Sequence, residues 1–110
     1  MVGSYSEVSI PVLATAAITQ NRGITLAGGV PAAGANGYLA VTGGAIGDMV
    51  TANVLGTATA EAGAAFAANV ALQFDATARL VTLTTGEKVA RSITAASAAG
   101  VVAEVLLIPN

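Results

Sequence analysis

The sequence predicts a mainly β protein, a small antiparallel barrel or sandwich, on three observations. Apolar residues recur with a period of two more often than 3.6. Twelve of the 110 residues are threonine, whose branched Cβ fits a pleated strand better than a helix. Turn residues also separate the apolar runs at short, regular intervals, the pattern of small all-β domains.

The elements follow in chain order. "SEVSIPVLATAAITQ" (6–20) alternates Val8, Ile10 and Val12, while Pro11 has no amide to give to a central ladder. An edge strand or an extended arm over Met1 to Val12 is expected, followed by one β-rich domain over residues 13–110. "ITLAGGVPAAGANG" (24–37) is rich in glycine and alanine, lacks the charge and serine of a solvated linker, and reads as a surface loop pressed against a neighbour. Asn36-Gly37 before "YLAVT" is a hairpin signal, because both residues accept positive φ. From Val50 to Ala60 the even positions are apolar or small and the odd ones mostly Thr or Asn, with Leu55 the one break. That is the clearest half-buried strand in the chain.

Val70, Leu72 and Phe74 mark another strand, Val81 and Leu83 a third, and Val89 and Ile93 around Ala90 and Ser92 a fourth. "DATAR" from Asp75 suits an Asx-turn, and "TTGEK" sets Gly86 between two strands. Two alanine-rich stretches depart from the pattern. "TAEAGAAFAAN" (59–69) reads as a helical turn or a tight loop; "TAASAAG" (94–100) has a capping Thr or Ser and a terminal Gly, which predicts one short helix. The final strand, "VVAEVLLIPN", sends Val101, Ala103, Val105 and Leu107 one way and Val102, Glu104, Leu106 and Ile108 the other. Both faces are apolar, with Glu104 the only interruption.

Composition says what the second face is for. Hydrophobic residues make up 55% and charged ones 9%, against roughly 25% charged in an ordinary globular domain. The excess is not a bulky core, since 26 residues are alanine and there is no Trp. Burying alanine contributes far less than the roughly 1.5–3 kcal/mol of a Val, Leu or Ile. Surface covered by another chain accounts for the remainder. A membrane does not: the charge-free run Gly23–Gly47 carries eight glycines and Pro31, and cannot sustain an apolar helix. No positive segment precedes an apolar block near Met1, so no signal peptide is expected. A net charge of -2 with only Arg22, Arg79, Lys88 and Arg91 as cations offers nucleic acid no basic patch.

Catalytic chemistry finds little to use. With no His and no Cys, the usual triads, dyads and thiolate metal sites are excluded. Lys88 and Ser92 share a strand face, but extended spacing sets them about 13 Å apart. Asp48, Glu61 and Asp75 do not recur at the alternate positions of a calcium loop, and turn or edge roles suit them better. "TGGAIGD" (42–48) has Asp48 where a phosphate loop needs lysine, and a strand rather than a helix follows. Its glycines read as a tight turn. The expectation is a non-enzymatic protein without cofactor or metal.

Gly47 to Asn110 resembles the tailed-phage capsid cement proteins, also called head decoration or capsid-stabilising proteins. "GDMVTANVLGTATAEAGAA", the "QFDATARLVT" turn, "AASAAG" and the ending "EVLLIPN" carry the resemblance; the first 46 residues match only in general character. Asn69 and Ala78 stand where similar sequences often have glycine. The resemblance implies a structural protein on the outer surface of the phage head, bridging major capsid subunits, with no nucleic-acid or membrane partner. It places copies at threefold or local threefold axes, so a homotrimer is favoured over a dimer. The expected capsid contacts are Glu7, Val8, Ile10 and Val12, adding to the edge of a neighbour's sheet; the expected contacts between copies are Val102, Leu106 and Ile108. The competing reading is a small sandwich module that binds cell-surface sugars, which needs exposed rings from Tyr5, Tyr38, Phe66 or Phe74.

Overall fold

The computed structural model describes residues 8–108. Eight strands form one antiparallel sheet that curls into a half-barrel: β1 (Val8–Leu13), β2 (Gly23–Ile24), β3 (Tyr38–Ala40), β4 (Met49–Glu61), β5 (Ala71–Phe74), β6 (Leu80–Thr82), β7 (Ala90–Ser92) and β8 (Val102–Leu107). Strand order is β2-β3-β4-β8-β7-β5-β6, and β1 pairs with β4 off that path. A single parallel bridge between Ala62 and Leu80 brings β6 back against the chain just past β4.

The thirteen residues of β4 span both halves of the molecule. Its first half pairs with β1, from Leu13 opposite Met49 to Val8 opposite Leu55, and with β3 through Leu39 and Ala40. Its second half, Gly56–Glu61, pairs with β8. Gly56 stands at the handover with φ +94°, a left-handed conformation that costs an L-residue with a Cβ roughly 1–2 kcal/mol. The strand changes course there, and two cores form on either side of the change. One holds Val12, Ala14, Ile18, Ile24, Ala40, Val50 and Ala52. The larger gathers Leu39, Phe66, Leu72, Phe74, Leu80, Val89, Val105 and Leu107, with the gaps filled by alanines such as Ala60, Ala62, Ala90 and Ala103.

At β1 the ladder explains how Pro11 is tolerated. Ala14 donates its amide to the Asp48 carbonyl, at 2.8 Å, in the register that continues through Val12–Val50 and Ile10–Ala52. Amide directions alternate along a strand, so the Pro11 nitrogen faces the open edge, where no bond is lost.

Several sequence expectations are corrected. The short helix predicted at residues 94–100 is absent, and of the two alternatives for residues 59–69 the structure has the loop: 94–100 and 62–69 are bends, turns and single bridges. The two loops satisfy each other's backbone instead. Phe66 and Ala96 exchange amide–carbonyl bonds of 3.0 and 2.9 Å, Asn69 donates to the Ser92 carbonyl, and Gly100 to that of Ala62. Partners across the barrel take the bonds a helix would have made within one loop. Asn36-Gly37 is likewise not the hairpin turn. The chain reverses at Ala32–Ala35, where Ala35 donates to the Ala32 carbonyl and Gly34 has φ +72°. Gly37 serves packing: a Cβ there would lie 3.0 Å from the Phe74 ring. In β6 the core side chain is Leu80, opposite Phe74, rather than Val81; in β7 Ala90 and Ser92 point inward and Ile93 is exposed.

Other expectations hold. Asp75 Oδ1 accepts from the amides of Thr77, at 2.9 Å, and Arg79, at 3.0 Å, completing the Asx-turn. Asn69 and Ala78, at the positions where the resemblance led glycine to be expected, have φ of 61° and 62°. Gly86 lies in the bend between β6 and β7, its amide bonded to Gln73 Oε1.

An ion cluster locks the two halves together. Arg22, just ahead of β2, makes a two-pronged contact with Glu61 at the end of β4, at 3.1 and 3.2 Å. Arg79, from the β5–β6 turn, reaches Glu61 at 3.4 Å and Asp75 at 3.9 Å. The Arg22 hydrogen bond is the main cause that holds the Glu61 carboxyl below the ordinary value of 4.5, against the opposing push of desolvation. A carboxylate with a depressed pKa stabilises the fold above its unfolded pKa, and that stabilisation is lost as pH falls through the folded value.

Two expected outcomes follow from this packing. Phe74→Ala removes the largest fully buried side chain and lowers unfolding free energy by about 3–5 kcal/mol, read by chemical denaturation. Melting temperature measured against pH declines below about pH 4.5, and Glu61→Gln flattens that decline while costing on the order of 1 kcal/mol at neutral pH. An acid limb as steep in the variant as in the parent protein would mean the cluster does not supply it.

Candidate interaction surface

The ending of the chain builds the surface. In β8, Ala103, Val105 and Leu107 are buried and belong to the larger core, which fixes the direction of their alternate neighbours. Val102 is 51% exposed and Leu106 45% exposed, with Glu104 between them also exposed. Thr57, Thr59 and Glu61 of β4 lie opposite Leu106, Glu104 and Val102 on one side; Arg91 of β7 lies opposite Leu106 on the other. Ile93, 44% exposed, donates its amide to the Glu104 carbonyl at 2.8 Å and extends the same face. Ile108 is half-buried, its amide bonded to the Val89 carbonyl at the barrel rim.

The residues expected in the N-terminal arm are differently placed. Val8–Val12 are part of β1 and lie on this chain's own β4. Val8 is exposed opposite the exposed Leu55, Ile10 is half-buried against the smaller core, and Val12 is buried within it. Val8 therefore presents the most side chain to a partner, and Val12 contributes packing; Glu7 lies outside the described residues. The sequence reading missed a second apolar patch, Leu13 opposite Met49 with Ile46 in the adjoining turn, all exposed. The signal was available: once Val12 and Val50 point inward, period two turns Leu13 and Met49 outward.

The residues weighed for chemistry have structural employment. Asp48 Oδ2 accepts from the Ala45 amide at 2.9 Å, so "TGGAIGD" is the turn into β4. Asp75 shapes its own turn, and Glu61 sits in the ion cluster. Ser92 is buried, its hydroxyl donating to the Ala67 carbonyl and accepting from the Val70 amide, whereas Lys88 is exposed. Among the described aromatic side chains, Phe66 and Phe74 are core and Tyr38 is half-buried, so none offers an open ring for sugar stacking; Tyr5 lies outside the described residues. A cavity of about 270 Å³ beside β8 is lined by Gln20, Asn21, Asn53, Thr57, Thr59 and Glu104 together with the apolar Leu39, Ala40, Val41 and Ala58. Among the described residues no helix is long and apolar enough to cross a membrane.

Comparison with known proteins gives the surface a context. The family model described as phage cement protein matches residues 3–107. No curated protein sequence matches the chain. Among solved structures, the head fiber gp8.5 N base of bacteriophage phi29 superimposes with a TM-score of 0.75 at 17% identity, covering 93% of this chain and 94% of that one. At that identity the likeness shows a shared fold.

Leu106→Asp is expected to leave the melting temperature of the isolated chain within a few degrees of the parent, because the side chain faces water. Val105→Asp buries an unpaired carboxylate in the larger core and abolishes folding. Equal destabilisation by the two substitutions would place Leu106 in the core.

Proposed function

This chain belongs to the phage cement protein family, and from that premise we propose that it binds the outer surface of the phage head and cements neighbouring major capsid subunits. The family makes the chain a structural protein of the phage virion. The cementing role rests on one observation above others: β8 fills the core with one face and leaves Val102 and Leu106 in water with the other. Large apolar side chains on a face with few charges suit adhesion, since lasting interfaces are more apolar at their centre than ordinary surface.

In this reading the protein acts by contact and not by catalysis. Copies associate through the β8 face, with Val102, Leu106 and Ile108 as contacts, and a trimer suits threefold sites on a head better than a dimer. The N-terminal residues, Glu7 and Val8 foremost, reach the major capsid protein as an added strand. Main-chain bonding of that kind tolerates a bland sequence, and several arms on one oligomer make attachment durable through multivalency.

The test is co-sedimentation of the purified chain with phage heads that lack it, together with the temperature at which those heads release their DNA. Binding with a raised release temperature is expected. Deleting Met1–Glu7, which spares every residue of β1, is expected to leave the melt unchanged and to reduce binding at least roughly tenfold. No binding by the full chain, or binding that leaves head stability unchanged, would overturn the cementing role. Undiminished binding by the truncated chain would move the contact elsewhere on the domain.

A further inference from the structure

Two ionic groups on the β8 face, Arg91 and Glu104, make no ion pair among the described residues. Two of the chain's four cations, Arg22 and Arg79, are engaged by Glu61 and Asp75. Arg91 instead donates Nη1 to the backbone carbonyl of Asn69 at 2.9 Å and, at 3.5 Å, to its side-chain oxygen. Glu104 contributes its backbone to hydrogen bonds with Thr94 and Ile93, and its carboxylate makes no ion pair among the described residues. A guanidinium has five donors and a carboxylate about four acceptor sites, so both side chains keep most of their capacity free.

Their placement is specific. Arg91 is directly across from Leu106, and Glu104 is one pleat from Leu106 along β8, so cation and anion flank a single exposed leucine on one sheet face. Ile93 and Val102 complete the apolar surroundings. The two charges are diagonal neighbours within reach of each other, yet Arg91 turns to Asn69. A patch carrying one charge of each sign around an apolar centre supplies both halves of a contact between copies: when copies pack around it, the cation of one finds the anion of its neighbour. Apolar contact alone is non-directional, and such a pair fixes register and rejects misaligned docking.

We propose that Arg91 of one copy pairs with Glu104 of the next, around a shared patch of Leu106, Ile93 and Val102, and that this pair sets the register of the homo-oligomer. The proposal rests on the association of copies argued above and identifies the residues that specify it. The occupant is a second copy rather than the capsid, because the face supplies both halves of its own ion pair.

The experiment is analytical ultracentrifugation of the full chain over a concentration series, with Arg91→Glu, Glu104→Arg and the double reversal, each checked by thermal melting. The parent protein is expected to assemble. Each single reversal sets like charges against one another and weakens assembly at least roughly tenfold with little change in the melt. The double reversal restores most of it, and mixing the two single variants restores part of it, a rescue that pairing within one chain cannot produce. Should a reversal unfold the chain, Arg91→Gln and Glu104→Gln read the same loss without repulsion. Single reversals that assemble like the parent, or a double reversal no better than the singles, would overturn the pairing. So would an Arg91→Glu variant that assembles normally but no longer binds heads, because the face would then belong to the capsid. A parent chain monomeric at every concentration, both free and on heads, would instead remove the association on which the proposal rests.

Discussion

One strand has to satisfy two cores. β4 gives Val50 and Ala52 to the smaller and Ala60 to the larger, and it is hydrogen-bonded to β1 and β3 along its first half and to β8 along its second. No regular strand can face two curved interiors without a change of course. Gly56, with its positive φ, supplies that change where the partner on the ladder also changes. The remaining architecture follows from the shared strand. The β2–β3 pair folds over one half, β5 to β8 over the other, and the Arg22–Glu61–Arg79–Asp75 cluster ties their ends where the two halves would otherwise pull apart.

How much of this was legible in the residues depended on how local the cause was. β4, β5 and β8 were readable because alternation over many positions records which side is buried, and the structure places Val50, Leu72, Phe74 and Val105 inside as that alternation required. The Asp75 turn was readable because the side chain bonds its own backbone. The misread segments have long-range causes. Nothing within residues 94–100 says that Ala96 will find its partner at Phe66, and a capping residue with a terminal glycine looks the same in a loop as in a helix. Asn36-Gly37 has the composition of a turn, but Gly37 is small because the Phe74 ring passes over it. In β7, Ser92 takes the inward position in place of Ile93 because its hydroxyl is needed to tie Ala67 and Val70.

The candidate surface was legible to the same degree. Two apolar faces on the last strand announced that one of them exceeds what the core can take, and the structure identifies which face is left over. The charges on it were not legible. Arg91 and Glu104 are thirteen positions apart, and only the antiparallel register of β7 and β8 makes them neighbours. The unanticipated Leu13–Met49 pair depends in the same way on a register between segments more than thirty residues apart.

The orientation of Pro11 has a consequence for the life of the free subunit. An open strand edge is a template on which any extended chain can form a new ladder. Because the proline nitrogen faces outward, two β1 edges brought together about Pro11 would set each outward carbonyl against a proline nitrogen that has no hydrogen to give. The interruption falls in the middle of a six-residue strand, leaving too few consecutive donors on either side to nucleate a fibril. The residue whose missing amide costs this molecule's own ladder nothing thereby makes its open edge a poor template for a second strand.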